Sequence, residues 1–235
     1  VTTLFLLLLC AYAALSIVAN RRSPDPELRP RLRGAVLLQF PLVALSAYYV
    51  WDYGALDRSL VSPFHILGGL VAGHIIFTVS LLVTHQRARD VAGHFVDLRS
   101  IWMFVVENPV ILMRFIGVSI TEEFIYRGAA QPLLTDLTGS PLAAIVVVAV
   151  LFSVVHSHFF RNPVRQSGEF LGFALLLGAV YHLTGSLSLV IVIHTLRNLE
   201  IVFLEYIIQL DKLGDPVEAQ AALDRIYALS PKDRA

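Results

Sequence analysis

From residue 64 to residue 84 the chain runs without one Asp, Glu, Lys or Arg, and residues 3–19 and 35–51 are equally free of them. A bilayer's hydrocarbon core takes about 20 apolar residues of α-helix to cross. Runs of this kind therefore predict a membrane protein. Composition agrees, because 56% hydrophobic and 15% charged residues with a mean hydropathy of +0.70 lie outside the soluble range. The formal net charge is zero, which argues against a nucleic-acid partner. A single cysteine, Cys10, provides neither a disulfide framework nor a thiolate metal site. The chain begins at Val1, which leaves room for an upstream helix, and its first apolar run has arginines after it, the reverse of a cleavable signal peptide.

Read in order, the sequence predicts an all-α polytopic fold of about seven transmembrane helices plus amphipathic surface helices. The spans are residues 3–19, 35–51, 64–84, 101–137, 142–155, 170–183 and 187–210, and Pro109 is a point at which the fourth restarts. Residues 20–34, 85–100 and 159–169 are basic connections, so the excess of Arg puts them together in the cytoplasm. Residues 52–63 form an outside loop behind an aromatic belt of Tyr48, Tyr49, Trp51 and Tyr53. Residues 85–100 read as an amphipathic surface segment, and the tail contains another over 219–229. Gly69 and Gly73 make a small-xxx-small spacing that permits close helix contact. Three regions result: N-terminal helices and connector over 1–100, a core over 101–210 and a cytoplasmic tail over 211–235.

Inside the fourth span lies TEEFIYRG, residues 121–128. An ionisable side chain at bilayer depth costs roughly 2.5 to 3.5 kcal/mol even on the mildest scale, so such groups mark function by default. Glu123 and Arg127, four apart, share a helical face and pair in the favourable order. Glu122 is rotated about 100° away from that pair and is the first candidate for chemistry.

Other polar residues reach the same level. Gly139 lies 17 positions after Glu122 and 17 before His156, so in a helical hairpin both stand roughly 25 Å from the turn. A second turn at Gly185 places His194 about 13 Å and Asn198 about 20 Å in, on one face. Three helices thus aim polar groups at a common layer in the cytoplasmic half.

These residues also form an ordered set of motifs: EExxxR at Glu122 to Arg127, FxxxH at Phe152 to His156, and HxxxN at His194 to Asn198. The set resembles the CAAX protease and bacteriocin-processing family of intramembrane proteases, and the likeness covers residues 110–201. The resemblance implies hydrolysis of a peptide bond in a membrane-associated protein or peptide precursor. Glu122 is then the general base acting on water, His156 helps to hold that water, and His194 and Asn198 stabilise the oxyanion. Glu123 and Arg127 hold the helix in register, with Glu123 a possible second acid or base. Zn²⁺ on Glu122, His156 and His194 is the metal-dependent variant, whereas a glutamate-activated water needs no cofactor. The setting expected is a bacterial cytoplasmic membrane.

Less specific readings compete. Glu122, Glu123 and Arg127 alone could be a buried network that orients a helix. A non-catalytic scaffold or peptide-binding immunity protein would use the same cavity. Gly117, Val118 and Ser119 begin a serine-nucleophile motif that Ile120 breaks. His65, His74, His85 and His94 read as packing or interfacial residues, His158 as solvated, and Arg197 with Glu200 as an i, i+3 pair.

Overall fold

The computed structural model describes residues 1–22, 33–55, 62–85 and 87–227. Among them the chain is all α, with no strand. The order is α1 (Thr2–Arg22), α2 (Arg33–Asp52), α3 (Pro63–His85), α4 (Ala88–Val96), α5 (Leu98–Glu107) and α6 (Pro109–Glu123). A π-helical segment (Phe124–Ala130) follows, then α7 (Gln131–Thr138), α8 (Pro141–Val155), a 3₁₀ turn (Ser157–Phe160), α9 (Val164–Thr184), α10 (Leu187–Leu213) and α11 (Pro216–Ile226). Most of the basic connection over 20–34, half of the loop over 52–63 and the end of the tail lie outside the described residues.

Among the described residues, three helices, over Pro63–Thr84, Val164–Thr184 and Leu187–Leu213, are long and apolar enough to cross a membrane, and a bent pair counted as one span makes a fourth. Large apolar side chains remain exposed on such helices, among them Phe64, Leu67 and Val71 on α3, as lipid contact requires. The expected count of seven is not reached by length and composition. Thr2–Val18 and Pro141–Val155 are apolar but shorter helices.

The fourth span is not the single helix from 101 to 137 that its apolar character suggested. It breaks at Asn108, and Leu98–Glu107 meets Pro109–Thr138 at 95°. The cause is local: Pro109 has no N–H and crowds the residue before it out of helical geometry, and Asn108 sits at φ −123, ψ 58. Its side chain turns back to donate to the Phe104 carbonyl at 2.9 Å.

The two turns expected from Gly139 and Gly185 are present. Each glycine closes a helix in the left-handed region, at φ 66 and φ 65, where a Cβ would be strained. Ser140 then caps α8 by accepting from the Ala143 N–H, and Ser186 caps α10 by accepting from Leu189.

The chain divides into two compact units. The first holds Val1–Ile66 and Ile120–Val190, the second Leu67–Ser119 and Ile191–Ala235. In the first, Phe5, Leu9, Leu42, Tyr49, Tyr126, Val148, Phe152 and Phe170 belong to one core on α1, α2, the π segment, α8 and α9. Gly128 makes the closest approach there, since a Cβ on it would lie 2.4 Å from a methyl of the fully buried Val50. In the second, Ile101, Phe104, Ile111, Leu199, Val202, Phe203 and Leu223 form one core, and Phe77, Leu81 and Val91 form another. Gly73 brings α3 onto α10: a Cβ there would stand 3.2 Å from the Ile193 Cα. The segment read as amphipathic holds α4 (Ala88–Val96) and the start of α5, with Val91 and His94 turned inward.

Candidate active site

The EExxxR stretch does not continue as an α-helix. From Phe124 to Ala130 the backbone is π-helical, and the N–H of Gln131 reaches five residues back to the Tyr126 carbonyl. Such segments inside α-helices recur at functional sites. The Glu123–Arg127 pair survives the wider turn at 3.1 Å, with both side chains wholly buried. Arg127 also donates to the Ala174 carbonyl at 3.1 Å and lies 4.8 Å over the Phe152 ring. Four residues on, Gln131 repeats the contact one turn along α9, donating to the Gly178 carbonyl at 2.9 Å. Two buried side chains thereby fix α9 against the segment that carries the motif.

Glu122 meets His156 instead, the depth match drawn from the Gly139 turn. Its Oε1 lies 3.6 Å from His156 Nε2, and the two side chains keep 21% and 24% exposure. That residual access separates them from the sealed Glu123 and Arg127. His156 ends α8 in an extended conformation and its Nδ1 is 2.6 Å from the Phe152 carbonyl. A carbonyl only accepts, so Nδ1 carries the proton and Nε2 is the nitrogen turned to Glu122. The ring is held by Phe152 at 4.7 Å and Phe170 at 5.1 Å. His158 stands 4.6 Å from Phe170 and 5.4 Å from His156, so it belongs to this aromatic wall and is not simply solvated. Tyr126, buried, sets its ring edge-on to Phe152 at 5.1 Å.

His194 and Asn198 lie on α10 in the second unit, His194 buried and Asn198 half-buried. Just past the end of α2, Tyr53 donates to Asp136 on α7 at 2.7 Å. Burial, and after it that carboxylate, pushes the Tyr53 phenol well above its ordinary range.

The second unit contains a cluster that the sequence reading missed. His74 and His94, assigned above to packing, converge on Glu200 instead. His74 Nδ1 is 2.6 Å and His94 Nε2 3.6 Å from the carboxylate, with side-chain exposures of 10%, 5% and 1% for His74, His94 and Glu200. No periodic pattern links residues on α3, α4 and α10. The available signals were a histidine beside the small-residue spacing of α3 and an acid within the apolar run of α10.

Residues 104–199 match the family model described as Rce1-like, the type II CAAX prenyl endopeptidase. The chain therefore carries an Rce1-like segment, and the three motifs lie inside it. No curated protein and no solved structure matches the chain.

Proposed function

We propose that the protein is an intramembrane endopeptidase that hydrolyses a peptide bond in a membrane-associated protein or peptide precursor. The observation that carries this reading is the approach of Glu122 to His156, two partly accessible side chains beside a sealed ion pair, within the Rce1-like segment. Glu122 acts as the general base: it takes a proton from water while the oxygen attacks the scissile carbonyl carbon, and the proton passes to the leaving amine as the C–N bond breaks. His156 holds the water through Nε2, because Nδ1 is committed to Phe152. At 3.6 Å the Glu122–His156 contact is longer than a direct hydrogen bond, and such distances commonly shorten only when substrate is bound.

His194 and Asn198 supply the oxyanion donors in this scheme, as the HxxxN motif implies. Glu123 and Arg127 hold the helix in register. The mechanism requires no metal. Glu122, His156 and His194 are the donors that a catalytic Zn²⁺ would take, where it would polarise water or carbonyl as a Lewis acid. The site opens in the cytoplasmic half of a bacterial cytoplasmic membrane, and prenylated C-terminal peptides are the substrate analogy.

The test compares protein termini in membranes from cells expressing wild type or Glu122→Gln at matched levels. A terminus generated by the wild type alone identifies the proteolysis and its substrate together. Identical termini, with one peptide co-purifying equally with both proteins, would replace the enzyme by a peptide-binding protein.

A further inference from the structure

The His74, His94 and Glu200 cluster has a different chemistry from the motif site, and it lies outside the Rce1-like match over residues 104–199, with His74 and His94 before its start and Glu200 one residue past its end. One donor atom from each comes within 4.8 Å of the other two, and all three residues are buried. His74 is oriented from both sides: Nε2 donates to the Phe95 carbonyl at 2.9 Å, so Nδ1 is the nitrogen presented to Glu200. Metal-binding histidines are characteristically held this way, with the second ring nitrogen bonded to a carbonyl or carboxylate. The Glu200 carboxylate is spread between the rings, Oε1 toward His74 and Oε2 toward His94.

Two atoms remain unanswered. His94 Nε2 and Glu200 Oε2 are buried and, among the described residues, have no hydrogen-bond partner. A buried polar atom left so is costly, and native interiors contain few. Aromatic rings surround the site, with Phe95 stacked 5.3 Å from His74, and Phe77 and Phe203 at 5.4 Å and 6.1 Å from His94.

We propose that His74, His94 and Glu200 bind one divalent transition-metal ion, of which Zn²⁺ is the type, at a site separate from the motif glutamate. Two imidazoles and a carboxylate suit Zn²⁺, and bonds of 2.0 to 2.2 Å place tetrahedral ligand atoms about 3.4 Å apart. The His94 to Glu200 separation of 3.6 Å already fits. The 2.6 Å His74 to Glu200 contact is a proton shared between Nδ1 and Oε1; the ion takes the place of that proton, which leaves to solvent, and the two atoms part slightly. Both oxygens of Glu200 face inward, so a bidentate carboxylate completes four coordination. The ion ties α3 and α4 to α10 at a residue two positions beyond Asn198.

The test uses the full-length chain in detergent, purified without a polyhistidine tag, then loaded with Zn²⁺ or Co²⁺ and desalted. The expected result is one equivalent per chain, a visible ligand-field spectrum with Co²⁺, and a melting temperature raised by Zn²⁺. His94→Gln and Glu200→Gln should weaken binding at least about 100-fold, while a Glu122→Gln, His156→Gln double variant retains it. The wild-type protein failing to hold an equivalent overturns the site whether or not the variants fold. So does His94→Gln binding as well as wild type, or loss of the ion from the double variant alone.

Discussion

Each unit contains an acid facing a histidine, and the two pairs differ in access. Glu122 and His156 stand 3.6 Å apart with over a fifth of each side chain exposed. Glu200 and His74 stand 2.6 Å apart with 1% and 10% exposed. A carboxylate that activates water must be reached by water and substrate, whereas one that holds a proton or an ion is best sealed, since desolvation strengthens every charge contact around it. In the proposed scheme, tight geometry with burial serves holding, and looser geometry with access serves chemistry. The first unit contains both kinds side by side, because Glu123 is sealed against Arg127 one residue beyond Glu122.

That contrast breaks most sharply at the adjacent acids. Glu122→Gln should lower turnover by about 10²- to 10⁴-fold, the usual worth of a general base, with melting temperature unchanged. A reporter-cleavage assay beside a thermal melt checks both, and equal loss of folding and activity would return Glu122 to a structural role. Arg127→Ala is the converse: it opens the sealed pair and should cost about 3 to 5 kcal/mol, seen as a lower melting temperature or poor yield. Asn198→Ala should slow turnover by roughly 100- to 1,000-fold as an oxyanion donor, with KM nearly constant; a change confined to KM would assign it to substrate binding instead. The smallest effect falls on packing. Gly128→Ala forces a methyl onto Val50 and should destabilise by about 1 to 3 kcal/mol, and Val50→Ala in the same chain should recover part of the loss.

Much of this was legible from residue order. The apolar runs gave the all-α membrane class, and the glycine turns put Glu122 and His156 at one level because equal offsets along two helices mean equal depth. Glu123 and Arg127 meet as their spacing requires, and Gly73 admits the close helix contact that its spacing with Gly69 suggested. The 95° break was legible as a position, at Pro109, but not as an angle. What stayed hidden depends on non-local packing. His74, His94 and Glu200 are brought together by tertiary contact across three helices, so no motif spacing announces them. The π-helical turn was equally silent, since no residue in FIYRGAA demands it.

That wide turn has a consequence for how the chain tolerates change. From Phe124 to Ala130 the helix spends more residues on its path than an α-helix would, because its bonds reach back five positions instead of four. Shortening this stretch by a residue lets the ladder close on ordinary bonds while the flanking helices stay in phase, whereas the same deletion in α8 or α9 would rotate everything after it. The segment that carries the charged motif is thus also the place where the long helix has slack.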